Sequence, residues 1–215
     1  MVERSRVQQL IENGLSSLHL AGEPRLAAQL LAYLELLAKW NRTYNLTAVR
    51  EPEEMVTRHV MDSLAILPFI DTDRVLDVGT GAGLPGLVLA MASPGRSFVL
   101  LDSAGKKTRF VEHAAGRLGL TNVEVVKARA EEQKDEEGFG VVVSRALAPV
   151  ADFVRVAGHL VCYDGRLLAM KGAFPDAELE HLPAVWQLHA SHELSVPGLL
   201  GRRHLLELSR KDAGT

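Results

Sequence analysis

Four glycines and a proline crowd the ten residues Asp77-Val78-Gly79-Thr80-Gly81-Ala82-Gly83-Leu84-Pro85-Gly86, between two apolar runs. The preceding Arg74-Val75-Leu76 is strand-like, and Leu87-Val88-Leu89-Ala90-Met91-Ala92 is apolar enough for a buried helix. Glycine permits positive φ and lets a ligand approach bare backbone. Pro85 suits the first turn of a helix, where its missing N–H has no partner to lose. A strand, a tight turn and a helix N-terminus form a cradle in which unpaired backbone N–H groups are expected to converge.

The rest of the chain fits an α/β fold built around that turn. From residue 74 onward, strand patterns at 74–78, 97–102, 123–126, 141–144 and 166–170 alternate with helical ones at 106–118 and about 149–161. Such alternation predicts a mostly parallel sheet with helices on both faces. Two further strands, 186–196 and 203–208, flank the short Pro197-Gly198-Leu199-Leu200 and are expected to form an antiparallel hairpin, making seven strands. Ahead of them, apolar residues recur at helical spacing over about 2–18, 24–40 and 52–67, where Pro68 is expected to end the third helix. Residues 1–70 therefore read as a helical extension packed on a 71–215 domain, one unit overall. Residues 41–47 read as a polar connection and 131–140 as a loose segment.

A hydrophobic fraction of 47% is ample for a continuous core. No apolar run approaches the ~20 residues of a membrane helix, and the N-terminus lacks a signal-peptide block. The single cysteine, Cys162, supports neither an internal disulfide nor a multi-cysteine metal site. No metal is expected, and the whole points to a reducing cytoplasm. The net charge of −3, from 24 basic and 27 acidic residues, argues against attachment to nucleic acid by bulk charge alone. Local basic groups remain: Lys106-Lys107 with Arg109, Lys127 with Arg129, and Arg202-Arg203. Each alone reads as solvated surface charge.

Asp102 ends the second strand roughly 20 residues past the glycines, where a carboxylate can take ribose hydroxyls. Gly81 to Gly86 formally matches the dinucleotide fingerprint. Asp77, however, puts a negative charge beside the loop; it repels a pyrophosphate and attracts a cofactor carrying an ammonium and a sulfonium. This favours S-adenosyl-L-methionine over NAD. At the fourth strand end, Ser144-Arg145-Ala146-Leu147 lacks the Asn/Asp-Pro-Pro-aromatic stretch of amino-group methylases. Cys162, in an apolar setting, reads as a core residue rather than the thiolate that carbon-5 methylation needs. A ring nitrogen such as guanine N7 requires neither device, only alignment. The Arg145 donor fork matches guanine O6 and N7, and equally suits the cofactor or a carboxylate.

At this level of detail the chain resembles the small-subunit ribosomal RNA methyltransferase G family, also called glucose-inhibited division protein B. The matching pieces are Trp40-Asn41, Tyr44-Asn45-Leu46-Thr47, His59-x-x-Asp62-Ser63-Leu64, Asp77 to Gly86, and Leu101-Asp102-Ser103-x-x-Lys106-Lys107. Ala130-Glu131, Ser144-Arg145-Ala146, Lys171-Gly172 and Arg203-His204-Leu205 complete them. Thr80 stands where serine is frequent, keeping the hydroxyl, and Arg202 where an acid is common.

The resemblance implies a Rossmann-like class I S-adenosylmethionine-dependent methyltransferase fold. It also implies N7 methylation of one guanine in the decoding-region loop of 16S rRNA, with the RNA or the small subunit as partner. Gly79, Leu84, Ala130, Glu131 and Arg145 are implied to contact the cofactor. Asp77 with Gly81 and Gly83 is expected on its methionine side, Asp102 with Ser103 at its ribose, and Ala130-Glu131 at its adenine. Arg145 and Lys171 are expected to place the target nucleotide, with no obligatory general base, and Asn45 and His59 to close the site. His59 and Asp62 share a helical face, which suits a local hydrogen bond as well as a place near the methionine end. Nothing in the sequence requires a dimer, so a monomer is expected. Two rival readings are an NAD-dependent oxidoreductase and a non-enzymatic ribosome-assembly factor.

Overall fold

The computed structural model describes residues 2–145 and 149–211, with only the backbone of Val2 and Glu3. One seven-stranded sheet runs in the order β3-β2-β1-β4-β5-β7-β6. Strands β1 (Arg74–Val78), β2 (Ser97–Leu101), β3 (Val123–Val126), β4 (Phe139–Arg145) and β5 (Val161–Lys171) are parallel. β7 (His204–Arg210) inserts antiparallel between β5 and β6 (Trp186–Glu193), so the expected C-terminal hairpin forms with its second strand innermost.

β1 and β4 bury successive residues, Val75 and Leu76 in the first and Val141 to Val143 in the second, because both sheet faces are covered. Val75, Phe98, Leu100, Val141 and Val143 face one core, shared with α5 (Gly86–Ala92), α6 (Gly105–Leu118) and the N-terminal helices. Leu76, Val78, Val99, Leu101 and Val142 face the other, under α7 (Val150–Ala157). The alternation follows from the two-residue period of a strand.

The extension packs into the first core through α1 (Val2–Ser17) and α2 (Pro24–Tyr44). α2 starts on Pro24 at the helix N-terminus and ends at Asn45, whose left-handed φ of 49° closes the last turn onto Asn41 O. It is thus one turn longer than its apolar stripe suggests, because Asn41 to Tyr44 stay helical. Besides the leucines it buries Tyr33, whose hydroxyl donates to Ala82 O at 2.8 Å within the glycine loop. Burial holds this phenol above its usual pKa range, so it stays a donor. Tyr33→Phe leaves Ala82 O without that donor; denaturant titration is expected to show a loss of about 1–2 kcal/mol.

The third helix differs from the expected continuous 52–67. α3 (Pro52–Met55) passes into a π-helical turn, Val56–Met61, then α4 (Asp62–Leu64). Pro68 lies inside a 3-10 turn, Leu67–Phe69, rather than ending the helix. Three other expectations change. β5 starts at Val161 rather than 166, its exposed Tyr163 and Asp164 having masked the strand pattern. Cys162 is half-buried at the start of β5, at the opposite end of the strand from Lys171, not in the core. The 131–140 segment is pinned: Arg74 forks onto Asp135 at 2.8 and 2.6 Å, and Asp135 also accepts from Gly138 N. Among the described residues no helix is long and apolar enough to cross a membrane.

Candidate active site

β1 runs into the glycine loop, whose turns are set by its own amides. Gly79 N and Thr80 N donate to Leu101 O at 2.8 and 3.1 Å; Gly83 N and Leu84 N donate to Thr80 O at 2.9 and 2.8 Å. Gly81 N donates to Asp102 Oδ2 at 3.0 Å, and Gly86 N to Asp77 Oδ2 at 2.9 Å. The expectation of unpaired N–H groups converging on a ligand is therefore corrected: these amides are spent inside the protein. A pyrophosphate would find few donors, which counts against the dinucleotide reading. Pro85 stands at the N-cap, one residue ahead of the first turn of α5.

Two glycines are dictated by this packing. Gly83 has φ of 85°, and a Cβ there would lie 2.4 Å from Leu87 Cδ1; at Gly86 it would lie 2.5 Å from Leu100 Cδ2 and 2.8 Å from Asp77 Oδ2.

Asp77 lies beneath the loop at 1% exposure. Its Oδ2 accepts from Thr80 Oγ1 at 2.6 Å and from Gly86 N, while its Oδ1 is buried with no partner. Burial pushes the carboxyl up to about 6, against the pull of those two hydrogen bonds. A buried carboxyl under a glycine turn sets a negative field at the loop, which favours a cation above it over an anion.

Above the carboxyl ends of the strands lies a cleft of about 530 Å³ lined by Gly79, Asp102, Ser103, Ala130, Glu131 and Arg145, with Lys107 and several backbone neighbours. These six of the expected cofactor residues come together. Asp77, Gly81, Gly83 and Leu84 do not line it; the first is buried below the loop, the glycines shape the turn, and Leu84 is in the core. Asp102 joins cleft and loop: Oδ1 accepts from Ala104 N at 2.8 Å, and Oδ2 faces Gly81 N and Lys107 Nζ, the latter at 3.4 Å.

Arg145, at the end of β4, reaches across to the π turn. Its Nη1 donates to Arg58 O at 2.9 Å and lies 3.5 Å from His59 Nδ1 and 3.4 Å from Asp62 Oδ2. Asp62 Oδ1 accepts from Arg203 Nε at 2.9 Å, so one buried carboxylate holds two arginines from distant elements. The expected local His59–Asp62 bond is replaced by this arrangement: Asp62, opening α4, meets Arg145 and Arg203 instead, and His59 meets Arg145 and Thr47.

His59 Nε2 lies 2.8 Å from Thr47 Oγ1, while its Nδ1 faces Arg145 Nη1 at 3.5 Å. Burial and the Arg145 charge push His59 down to about 4, leaving it neutral near pH 7. Thr47 is held in turn by buried Asn41, whose Oδ1 accepts from Thr47 N at 2.9 Å. Sequence reading singled out Asp62 only as a neighbour of His59 and missed its two arginine partners; it missed Arg203, Asn41, Thr47 and Tyr33 as parts of the site's frame. All but Tyr33 stand in the motif pieces, but their pairing is made only by the fold.

Of the other expected residues, His59 abuts Arg145 without lining the cleft, and Asn45 and Lys171 stand further apart. Asn45 is exposed as the α2 cap and accepts from Arg50 Nη2 at 3.3 Å. Lys171, at the end of β5, is held 2.8 Å from Glu178 Oε2, which also accepts from Val150 N at the start of α7. Ala146 and Leu147 lie outside the described residues. No cluster of three or more His, Cys, Asp or Glu among the described residues is arranged to hold a metal.

The strand order and a cleft above β1, β2 and β4 define a Rossmann-like methyltransferase fold. A solved S-adenosylmethionine-dependent methyltransferase from Aquifex aeolicus superposes with a TM-score of 0.55 at 17% identity, over 72% of this chain and 92% of that one.

Residues 26–206 match the family described as rRNA small subunit methyltransferase G, and the chain belongs to that family. Proteins named ribosomal RNA small subunit methyltransferase G are 48% identical in Marinobacter nauticus, over 94% of each chain, and 49% identical in Stenotrophomonas maltophilia, over 93% of each.

Proposed function

We propose that this protein transfers a methyl group from S-adenosyl-L-methionine to N7 of one guanine in the decoding-region loop of 16S rRNA. The observation that carries the reading is an acid-lined cleft on a methyltransferase fold in a chain that belongs to this family. The residues fit the cofactor: Asp102 with Ser103 suits its ribose hydroxyls and Ala130-Glu131 the adenine edge, while Asp77, buried beneath the loop, contributes a negative charge at a distance. When bound, the cofactor supplies an electrophilic methyl on a sulfonium.

The protein's part is placement. N7 of a neutral guanine already carries its lone pair, so no proton needs removing before attack. A neutral His59 and a loop with its amides spent are consistent with that economy. Arg145 serves best at guanine O6 or a neighbouring phosphate. A fork on both O6 and N7 would occupy the lone pair that must attack, which revises the simpler pairing. Lys171, fixed by Glu178, is assigned to shaping the end of β5 beside Arg145 rather than to direct attack chemistry.

The test is mass mapping of rRNA from cells with and without the protein, followed by transfer of labelled methyl groups to the undermethylated RNA, partial subunits and whole subunits. One N7-methylguanosine lost and then restored is the expected result. An unchanged guanine pattern overturns the enzyme and leaves the assembly-factor reading. Calorimetry distinguishes the remaining rival: S-adenosylhomocysteine is expected to bind and NADH not to.

A further inference from the structure

α2 carries an aromatic step onto the same edge of the sheet. Trp40 sits against Phe110 and His113 of α6, with centroids 5.5 and 5.2 Å away, and Tyr44 packs on Trp40 at 5.3 Å with the rings tilted by 34°. Tyr44 still keeps 41% of its surface exposed. Its place is fixed from two sides. Lys106 Nζ, at the start of α6, donates to Tyr44 O at 3.3 Å, and the next residue, Lys107, lines the cleft and pairs with Asp102. In the other direction, Thr47 is bonded to His59, which abuts Arg145. Tyr44 therefore lies on the rim between the start of α6 and the π turn. Beside it Lys106 and Arg50 are exposed, the latter bonded to the adjacent Asn45.

We propose that Tyr44, braced by Trp40 and flanked by Lys106 and Arg50, is a stacking platform for an unpaired nucleotide next to the target guanine in the substrate RNA. The proposal rests on the methyltransferase reading for the identity of that RNA. An exposed aromatic face with cations beside it matches what single-stranded RNA offers, a base face and a phosphate, and every base has such a face. A net charge of −3 argues against holding RNA by bulk charge alone, and so favours local contacts. A merely structural Tyr44, closing α2, would serve as well with its ring fully covered.

The test measures equilibrium binding of the full-length protein to undermethylated small ribosomal subunits, with methyl-transfer kinetics and S-adenosylhomocysteine affinity alongside. Tyr44→Ala is expected to weaken subunit binding about 5- to 100-fold, the range for losing one base stack, with kcat and S-adenosylhomocysteine affinity within about twofold of wild type. Tyr44→Phe keeps the ring and is expected to bind as wild type. Lys106→Gln is expected to lower the slope of log affinity against log salt by about one. Unchanged subunit binding in Tyr44→Ala overturns the platform, as does an equal loss in Tyr44→Phe or a parallel loss of S-adenosylhomocysteine affinity. Absence of methyl transfer by the wild type, with binding intact and sensitive to Tyr44, overturns the enzymatic reading and leaves the platform standing.

Discussion

Asp62→Ala is expected to lower stability by about 3 kcal/mol and methyl transfer by roughly a hundredfold. Its carboxylate, 3% exposed, is the acceptor shared by Arg145 and Arg203, whose side chains are only 22% and 29% exposed. Removing it leaves two partly buried guanidinium groups without their shared counter-charge, and Arg145 loses one of the anchors that set its direction over the cleft. Arg145→Ala separates the two effects. In that variant Asp62 keeps Arg203 at 2.9 Å, so the stability loss is expected to be smaller while methyl transfer falls as far. Asp62→Asn, which keeps shape without charge, is expected to fall between wild type and Asp62→Ala. Urea titration and single-turnover transfer read both quantities. Wild-type turnover in Asp62→Ala would mean that Arg145 is placed by Arg58 O alone, or that it takes no part in the reaction.

The readable parts of this chain are those whose signal is local. β1, β2 and β4 are dominated by apolar residues because helices cover both sheet faces, and the glycine loop is marked by glycines whose replacement the packing does not admit. Arg145 could be singled out because a charged residue ending an apolar strand must surface at the carboxyl edge, where such folds place their ligands. The hidden parts depend on distant partners. Asp62 and Arg203 are 141 residues apart in the chain, and Tyr33 looks like another member of an apolar stripe until its hydroxyl meets Ala82 O, 49 residues on. The loop shows the same limit in reverse. Its composition promises vacant amides, but the acceptors that consume them, Leu101 O, Asp102 and Asp77, arrive from neighbouring strands. The π turn has no periodicity of its own, so an amphipathic stripe conceals it.

Asp77→Asn is expected to make the protein more stable above pH 7 and a poorer binder of its cofactor. The Asp77 carboxyl is raised from 3.8 to about 6, so the folded chain holds this proton more tightly than the unfolded one. Stability from this group is therefore highest below about pH 4 and declines as pH rises to about 6, by about 3 kcal/mol. His59 acts oppositely. Its pKa falls from 6.5 to about 4, so stability is fully present above pH 6.5 and is lost by a similar amount as pH drops towards 4. In the wild type the two slopes largely offset each other. In Asp77→Asn the amide oxygen still accepts from Gly86 N and Thr80 Oγ1, and no charge is buried. Relative to wild type, the variant is expected to be about equal at pH 4 and about 3 kcal/mol more stable by pH 7, measured by denaturant titration across that range. The cost is the negative charge beneath the loop, whose field no longer favours an ammonium in the cleft; S-adenosylhomocysteine is expected to bind roughly 10-fold more weakly. A stability difference that does not change with pH would show Asp77 ionised throughout. Unaltered S-adenosylhomocysteine affinity would show that the orphaned oxygen is a feature of the loop alone.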